Sequence, residues 1–399
     1  MSSIEIRWHE GPRAVGDLVP LLAAEGLLPP PMFAMDPAYL AAGLEGDCPA
    51  ILVACRGQRP VAFMSVALRR ARFAYRLGPL TLARPPYRQL RMLGCRFAEA
   101  GDREALDALL AYMTGPLRRR YDVALVAELP VDDPLAVCLA SPPLWLRREM
   151  DIDRREMDSY RVRIEGTFES YLQARMSGKT RNTLRRKLRM FEESAAGPVA
   201  VRVYTSPEQT DEFVRQASRV ARHTYQARRG HESVADTQEM RKKLSYFAEC
   251  GTLRSYVLFA GDEPCAYCYG IIYRRSYLYE IPGYDERMAS KSPGAVLLYR
   301  MLEDLFAGGL VDELDFGAGA AEYKRIYATS NPSVLYANLY LRRPYPRLLR
   351  VLDRGCTSLS NVAKPWAARL RGKSPRPAGK TAESSPNKRA DETPIASRE

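Results

Sequence analysis

The sequence predicts a two-domain, mixed α/β protein, and three observations carry that prediction. Its 399 residues exceed the ~100 to 200 that a single core usually organises. Apolar residues supply 46% and charged residues 27%, an ordinary globular composition that excludes a fibrous or mainly disordered chain. Strand-like and helix-like patterns alternate along the chain, separated by turn residues.

In the first 150 residues, IEIRW reads as a strand, Arg13 to Glu25 as a helix, and LLPPPMF as a Pro-rich break. AILVAC and VAFMSVAL follow as strands joined by the turn Gly57-Gln58-Arg59-Pro60. After LRMLG, Asp102 opens a helix with Leu106, Leu109, Leu110 and Met113 on its apolar side, and DVALVAEL reads as the next strand.

The second half is cleaner. Ser206-Pro207-Glu208-Gln209 has an N-cap, a proline at N1 and a side chain able to reach back to the cap. Asp236 to Glu239 repeats that logic before a helix closed by Gly251. LRSYVLFA, PCAYCYGII and YLYEI are three strands joined by the turns GDEP and YRRS. A helix from Ser292-Pro293-Gly294 to Gly308-Gly309 places Leu298, Met301, Leu302 and Leu305 inward. The strand LDF, a short helix near Ala320 to Tyr327 and the strand SVLYANLYL finish the pattern. From Val199 the order is β, α, α, β, β, β, α, β, α, β.

The formal charge of +13 and pI near 9.4 favour anionic partners: nucleic acid, an acidic membrane surface or a phosphorylated small molecule. Eight scattered cysteines are unlike a dense secreted disulfide scaffold and point to reduced thiols in the cytoplasm. The N-terminus lacks a secretory pattern, and no uninterrupted apolar stretch is long enough to span a bilayer. Residues 371–399, rich in Pro, Ser, Lys and Glu, read as a disordered tail.

The element order resembles the GNAT acyltransferase fold. SGKTRNTLRRKLRMFEE, TYQARRG, YEIPGYDERMASKSPG and LDFGAGAAEYKRIYA are similar to the cellulose-biosynthesis-associated acyltransferases related to the FemAB peptidoglycan transferases. The similarity covers roughly residues 150 to 342, and the N-terminal half only through LRMLG and its element order. It implies tandem GNAT-like domains, each a mixed, mostly antiparallel sheet flanked by helices. The expected boundaries are a degenerate N-terminal domain at 1–150 and a C-terminal acyltransferase domain at 151–370, with an interdomain basic helix at 177–193. It also implies acyl-CoA as co-substrate, no permanently bound cofactor and no metal.

The residues have their own chemistry. A helix N-terminus offers unpaired N–H groups and partial positive charge, and Lys291, Ser292, Gly294 and Ala295 would meet a pyrophosphate there. The usual GNAT signature runs Arg or Gln, two variable residues, Gly, one variable residue, then Gly or Ala; here Lys291 precedes Gly294 and Val296 takes the last position. Pro282-Gly283 fits poorly inside a paired central strand, so a bulge or splay is expected there, freeing the backbone of Ile281 and Gly283 for a thioester.

Acyl transfer needs a base, oxyanion stabilisation and an acid for the thiolate. By the resemblance, Glu280 is the carboxylate base, and Tyr323 or Tyr327 occupies the place of a tyrosine acid. Tyr323-Lys324 matches an aromatic-lysine pair near the acyl-transfer centre, where Lys324 would bind an acceptor phosphate or polarise the carbonyl. Asp315 and Gly317 are expected to shape a turn. Each also has a plainer reading as a strand charge, a packed aromatic or a capped helix.

Other signals are excluded or demoted. DFG lacks the HRD loop, the VAIK-like strand and the glycine-rich loop of a kinase. Cys265 and Cys268 have redox or zinc spacing, but on a strand they face opposite ways with no second ligand pair. YLRRPYPRLLRVLDRG mixes arginines with Tyr340, Tyr345 and leucines, and reads as a membrane or polyanion contact or as a helix that closes the domain.

The run from Arg175 to Arg189 holds seven basic residues and no acid before Glu192. If Ser177 caps it, Leu184, Leu188 and Phe191 share one face, so it docks on a core. Its cations crowd the first turn, where each costs typically ~0.3 to 1 kcal/mol, and an anion there would offset that. Lys179, Arg181 and Arg185, with Tyr225 and Gln226, are therefore expected to bind the acceptor. Three functions stay open: acyl transfer from acyl-CoA to an amine or hydroxyl of a small anionic or sugar-containing acceptor in envelope polysaccharide synthesis, FemAB-like transfer from aminoacyl-tRNA, and a non-catalytic basic module binding nucleic acid or lipid.

Overall fold

A computed structural model describes residues 4–44, 47–77, 80–224 and 233–370. Tyr225, Gln226 and the tail 371–399 lie outside them. The described residues form two compact units, one comprising 4–156 and 334–370, the other 157–333.

In the first unit, β1 (Ile4–Glu10) leads to α1 (Pro12–Gly16), α2 (Val19–Ala24) and α3 (Pro37–Ala41). Then come β2 (Cys48–Arg56), β3 (Arg59–Arg72), the hairpin β4 (Tyr75–Leu77) and β5 (Leu80–Ala83), and β6 (Pro86–Phe97). α4 (Arg103–Thr114), β7 (Val123–Pro130), α5 (Pro134–Ala140) and α6 (Leu144–Glu149) follow. The sheet runs β1-β2-β3-β6-β7 with antiparallel neighbours, except that β6 and β7 are parallel.

Both faces of this sheet are covered, which explains why β2 is an unbroken apolar run. Ala50, Leu52 and Ala54 pack with Leu106, Leu109, Leu110 and Met113 of α4. Ile51, Val53 and Cys55 pack with Val15, Leu18, Leu22 and Leu40 on the other side. The single helix expected over Arg13 to Glu25 is two short ones, because Pro20 opens a new helix at its first turn.

β8 (Met150–Arg163) carries the chain into the second unit, followed by α7 (Phe168–Arg175), α8 (Gly178–Ser194), β9 (Val199–Tyr204), α9 (Thr210–Ala221) and α10 (Gln238–Glu249). The strands β10 (Ser255–Ala260), β11 (Glu263–Tyr273) and β12 (Ser276–Tyr284) precede α11 (Pro293–Gly308), β13 (Glu313–Ala318) and α12 (Glu322–Tyr327). The sheet order is β8-β13-β12-β11-β10-β9, antiparallel except for the parallel pair β12 and β13. Leu298, Met301, Leu302 and Leu305 of α11 and Leu184 and Phe191 of α8 share one core with Tyr256, Leu258 and Tyr277. Each unit is thus mixed α/β, its strands mostly antiparallel and flanked by helices.

The chain ends with β14 (Ser333–Leu341) and α13 (Pro344–Leu370). The sequence assigned both to the C-terminal domain; instead β14 pairs antiparallel with β7, and the contacts of this segment are with the first unit. Packing gives the reason: Leu335, Ala337, Leu339 and Leu341 complete the core beneath α4. In the second unit the place beside β13 goes to β8, whose Tyr160 and Val162 are buried with Leu314 and Phe316. Among the described residues no helix is long and apolar enough to cross a membrane, and no cluster of His, Cys, Asp or Glu could hold a metal ion.

Candidate active site

The second unit concentrates the expected chemistry around β12. Across β11, Tyr269 faces Ile281 and Gly270 faces Tyr279, so Glu280 is the extra residue of a β-bulge. The sequence placed the irregularity at Pro282-Gly283; both are in register, opposite Cys268 and Tyr267. The other edge of β12 accommodates the proline. Pairing with β13 stops at Leu278 and Asp315, so beyond Leu278 the strand has no ladder partner on that side to require the missing N–H. Bulge and lost ladder together leave the strand from Tyr279 to Tyr284 paired with β11 alone among the described residues.

Gly283 is required by packing: a Cβ there would lie 2.5 Å from the Tyr267 ring. Gly270 is more constrained still, since its Cβ would fall 2.1 Å from Tyr277 Oη. These two rings, not a ligand, account for the two glycines.

Past the bulge, Asp285 caps a 3-10 helix over Glu286–Lys291 by accepting from the Arg287 N–H at 2.9 Å. Ser292 then turns the chain with a left-handed backbone, φ 57°, and α11 begins at Pro293. Its hydroxyl makes no cap, so the expected side-chain N-cap is absent. The Ser292 carbonyl accepts from Ala295 and Val296 at 3.0 and 3.2 Å. Among the described residues the Gly294 N–H makes no hydrogen bond within the chain, and it is the first donor of a 16-residue helix with no acid in its first turn. Gly294 packs on Tyr284, whose Cδ1 would be 3.2 Å from an added Cβ. Lys291 does not flank this terminus as expected: its Nζ donates to the Ser194 carbonyl at 2.9 Å, capping the end of α8.

Tyr323 joins Tyr279 and Phe316 in an aromatic trio with centroids 5.3 to 6.3 Å apart. Burial pushes the Tyr279, Tyr323 and Tyr327 phenols upward, so all three keep their protons at neutral pH. The Tyr327 hydroxyl is buried with no hydrogen-bond partner among the described residues. Lys324 donates to the carbonyls of Gly317 and Ala318 at 3.2 and 2.9 Å. It braces the turn that Asp315 shapes by accepting from the Gly317 N–H at 2.7 Å. Glu280 is exposed on its bulge.

The basic segment is α8, capped as expected by Ser177, which accepts from the Thr180 N–H at 3.2 Å. Its charges are partly committed. Arg181 donates to the Met176 carbonyl at 2.6 Å, Arg185 pairs with Glu169 at 3.1 Å, and Lys179 stands exposed in the first turn. These contacts relieve some of the mismatch with the helix dipole without any ligand. A cleft lined by Arg163, Glu165, Ser170, Tyr171, Ala174, Thr329 and Ser330 contains none of the expected site residues.

Residues 178–325 match the model of the acetyltransferase (GNAT) domain. That stretch lies within the second unit. No curated protein matches the chain. Among solved structures, FemX is 10% identical with a TM-score of 0.49, covering 76% of this chain and 90% of that one. L-PGS from Bacillus licheniformis is 14% identical with a TM-score of 0.48, covering 81% and 93%. A tandem GNAT protein from the clavulanic acid biosynthesis pathway is 12% identical with a TM-score of 0.46, covering 85% and 99%.

Sequence reasoning missed Tyr279, Tyr284 and Tyr267, which pack on Tyr323, Gly294 and Gly283. The alternating tyrosines of YLYEIPGY were the available signal.

Proposed function

We propose that the second unit transfers an acyl group from acyl-CoA to an amine or hydroxyl of a small anionic or sugar-containing acceptor. The setting would be cytoplasmic assembly of an envelope polysaccharide, as in the cellulose-associated, FemAB-related enzymes the sequence resembles. The observation that carries this reading is the bulge at Glu280 on a strand that has lost its β13 partner, followed directly by a helix whose Gly294 N–H is available.

The backbone of Ile281 and Gly283 would hold the thioester arm, and Ser292, Gly294 and Ala295 would meet the pyrophosphate. Glu280 takes the proton as the acceptor's nitrogen or oxygen adds to the thioester carbonyl. Collapse of the tetrahedral intermediate forms the amide or ester, breaks the C–S bond and releases a thiolate, which Tyr323 protonates. Lys324, which donates to the carbonyls of Gly317 and Ala318, sets the position of the Gly317 turn beside the reacting centre and supplies positive charge for the developing oxyanion. Lys179 and Arg181 supply charge for the acceptor's phosphate or carboxylate.

The test is release of free thiol from a panel of acyl-CoAs with sugar and nucleotide-sugar acceptors. Thiol release together with a thermal shift on adding coenzyme A supports the reading; neither from any donor refutes it. The engagement of Lys291 by Ser194 favours a second reading, with aminoacyl-tRNA as donor, and activity that survives RNase removes it.

A further inference from the structure

We propose that the first unit docks on an anionic lipid surface through the hairpin β4–β5 and the outer face of α13. Seven of the fourteen large hydrophobic side chains exposed among the described residues lie on these two elements: Leu80 and Leu82 on β5, and Tyr345, Leu348, Val351, Leu352 and Leu359 on α13. Scattered single exposures are ordinary, but a cluster on adjacent elements is not.

The two elements form one surface. Tyr75 donates to the Leu349 carbonyl and Ser360 to the Arg76 carbonyl, each at 3.2 Å, so the hairpin lies along the helix. Leu349, Cys356 and Ser360 turn inward, with Leu349 in a core with Tyr75, Tyr87, Val123 and Tyr340. Leu348, Leu352 and Leu359 recur on another face, with Val351 beside them and Gly355 opening onto empty space. A helix whose only task was to close the domain would carry polar residues there.

Charge selects the occupant. From Cys48 to Ala98 the chain holds ten arginines and no acid; Arg56, Arg59, Arg88 and Arg91 pair with acids outside that stretch, while Arg70, Arg72 and Arg84 stand exposed on and beside the hairpin. The arginines of α13 are largely spoken for, with Arg350 and Arg354 on Asp153 and Arg347 4.0 Å from Asp151, so the uncompensated charge belongs to the hairpin side. Leucines exposed to 64% beside unbalanced arginines suit a bilayer interface, where aliphatic groups enter the acyl boundary and guanidinium groups meet lipid phosphates. Nucleic acid offers those leucines nothing to enter. A second copy of the chain would bring two acid-free hairpins together.

The experiment uses the full chain with vesicles of phosphatidylcholine alone or with 30% phosphatidylglycerol, read by co-sedimentation. Binding is expected only to the anionic vesicles, weakening severalfold between 0.1 and 0.5 M salt. It should fall about tenfold in L80S/L82S and in L348S/L352S, while both variants keep wild-type melting temperatures and thiol release. Absence of binding to anionic vesicles overturns the proposal, as does binding unchanged in both variants. A wild-type dimer that L348S/L352S converts to monomer assigns the face to a second copy, and leucine-independent binding to duplex DNA assigns it to nucleic acid; either also overturns it.

Discussion

The two units share a backbone device and differ in what surrounds it. In the first, β3 pairs Ser65 with Gly94 and Val66 with Met92, so Leu93 is the bulged residue, as Glu280 is in the second. Each bulged strand also has a parallel neighbour and is followed by a long helix. Yet Leu93 packs into the core, whereas Glu280 is an exposed carboxylate. At Gly94, φ 136°, an added Cβ would be 2.6 Å from Met35 Sδ, and the Met35 carbonyl is held by Ser65 Oγ at 2.7 Å. The helix ends contrast most. α4 begins with Asp102, which accepts from the Ala105 N–H at 3.0 Å, and has Glu104 in its first turn. Those acids fill the donors and repel an anion, whereas α11 begins without an acid. A bulge before a helix is therefore a frame, and the charge at the helix end decides whether the frame takes an anion.

The comparison can be broken at graded strength. The largest effect is expected from Gly270→Val, which drives a side chain into Tyr277: a loss of several kcal/mol, read as a fall in melting temperature of more than ~10 °C. Glu280→Gln should lower kcat by ~100-fold or more with stability unchanged, while Leu93→Gln in the first unit, whatever it costs in stability, should leave kcat near wild type at permissive temperature. Unequal roles for the two bulges are the point of that pair, and equal kinetic losses would dissolve it.

Arg181→Ala and Lys179→Ala should raise the acceptor KM by about tenfold while leaving the KM for acyl-CoA alone; equal weakening of both substrates would remove α8 from acceptor binding. The smallest effect concerns the Glu10–Arg120 ion pair of the first unit, N to O 2.5 Å. Arg120 lowers the Glu10 carboxyl to about 2 from an ordinary 4.5. The pair's stabilisation is therefore full above about 4.5 and is lost as pH falls towards about 2. Because both groups are partly exposed, Glu10→Gln should cost less than ~1 kcal/mol at pH 7, and that difference should shrink as pH falls through about 2 in denaturant titrations.

Much of this architecture could be read from the residues, for identifiable reasons. The helices opened by Asp102, Ser177 and Pro293 have clear start signals and apolar faces, and the three hairpin strands Ser255–Tyr284 have short polar turns between them. β8 has no legible strand pattern because MDIDRREMDSYRVR carries charge through most of its length, and only Met150 at its start and Ser159, Tyr160 and Val162 near its end are buried. β14 was recognised as a strand but not in its place, since its pattern is equally apolar in either sheet and only the fit beneath α4 chooses. In the site, residue types were legible and partners were not. Nothing local says that Lys291 reaches Ser194, that Lys324 bridges Gly317 and Ala318, or that the bulge falls at Glu280 and not at Pro282.

Hydrogen exchange of the full chain with and without coenzyme A tests the central claim most directly, because it asks both frames the same question at once. Slowed exchange in the amides of Tyr279 to Gly283 and Gly294 to Val296, with none at Met92 to Cys95 or Arg103 to Leu106, is the predicted result. Protection at the start of α4, or of both units equally, would contradict it.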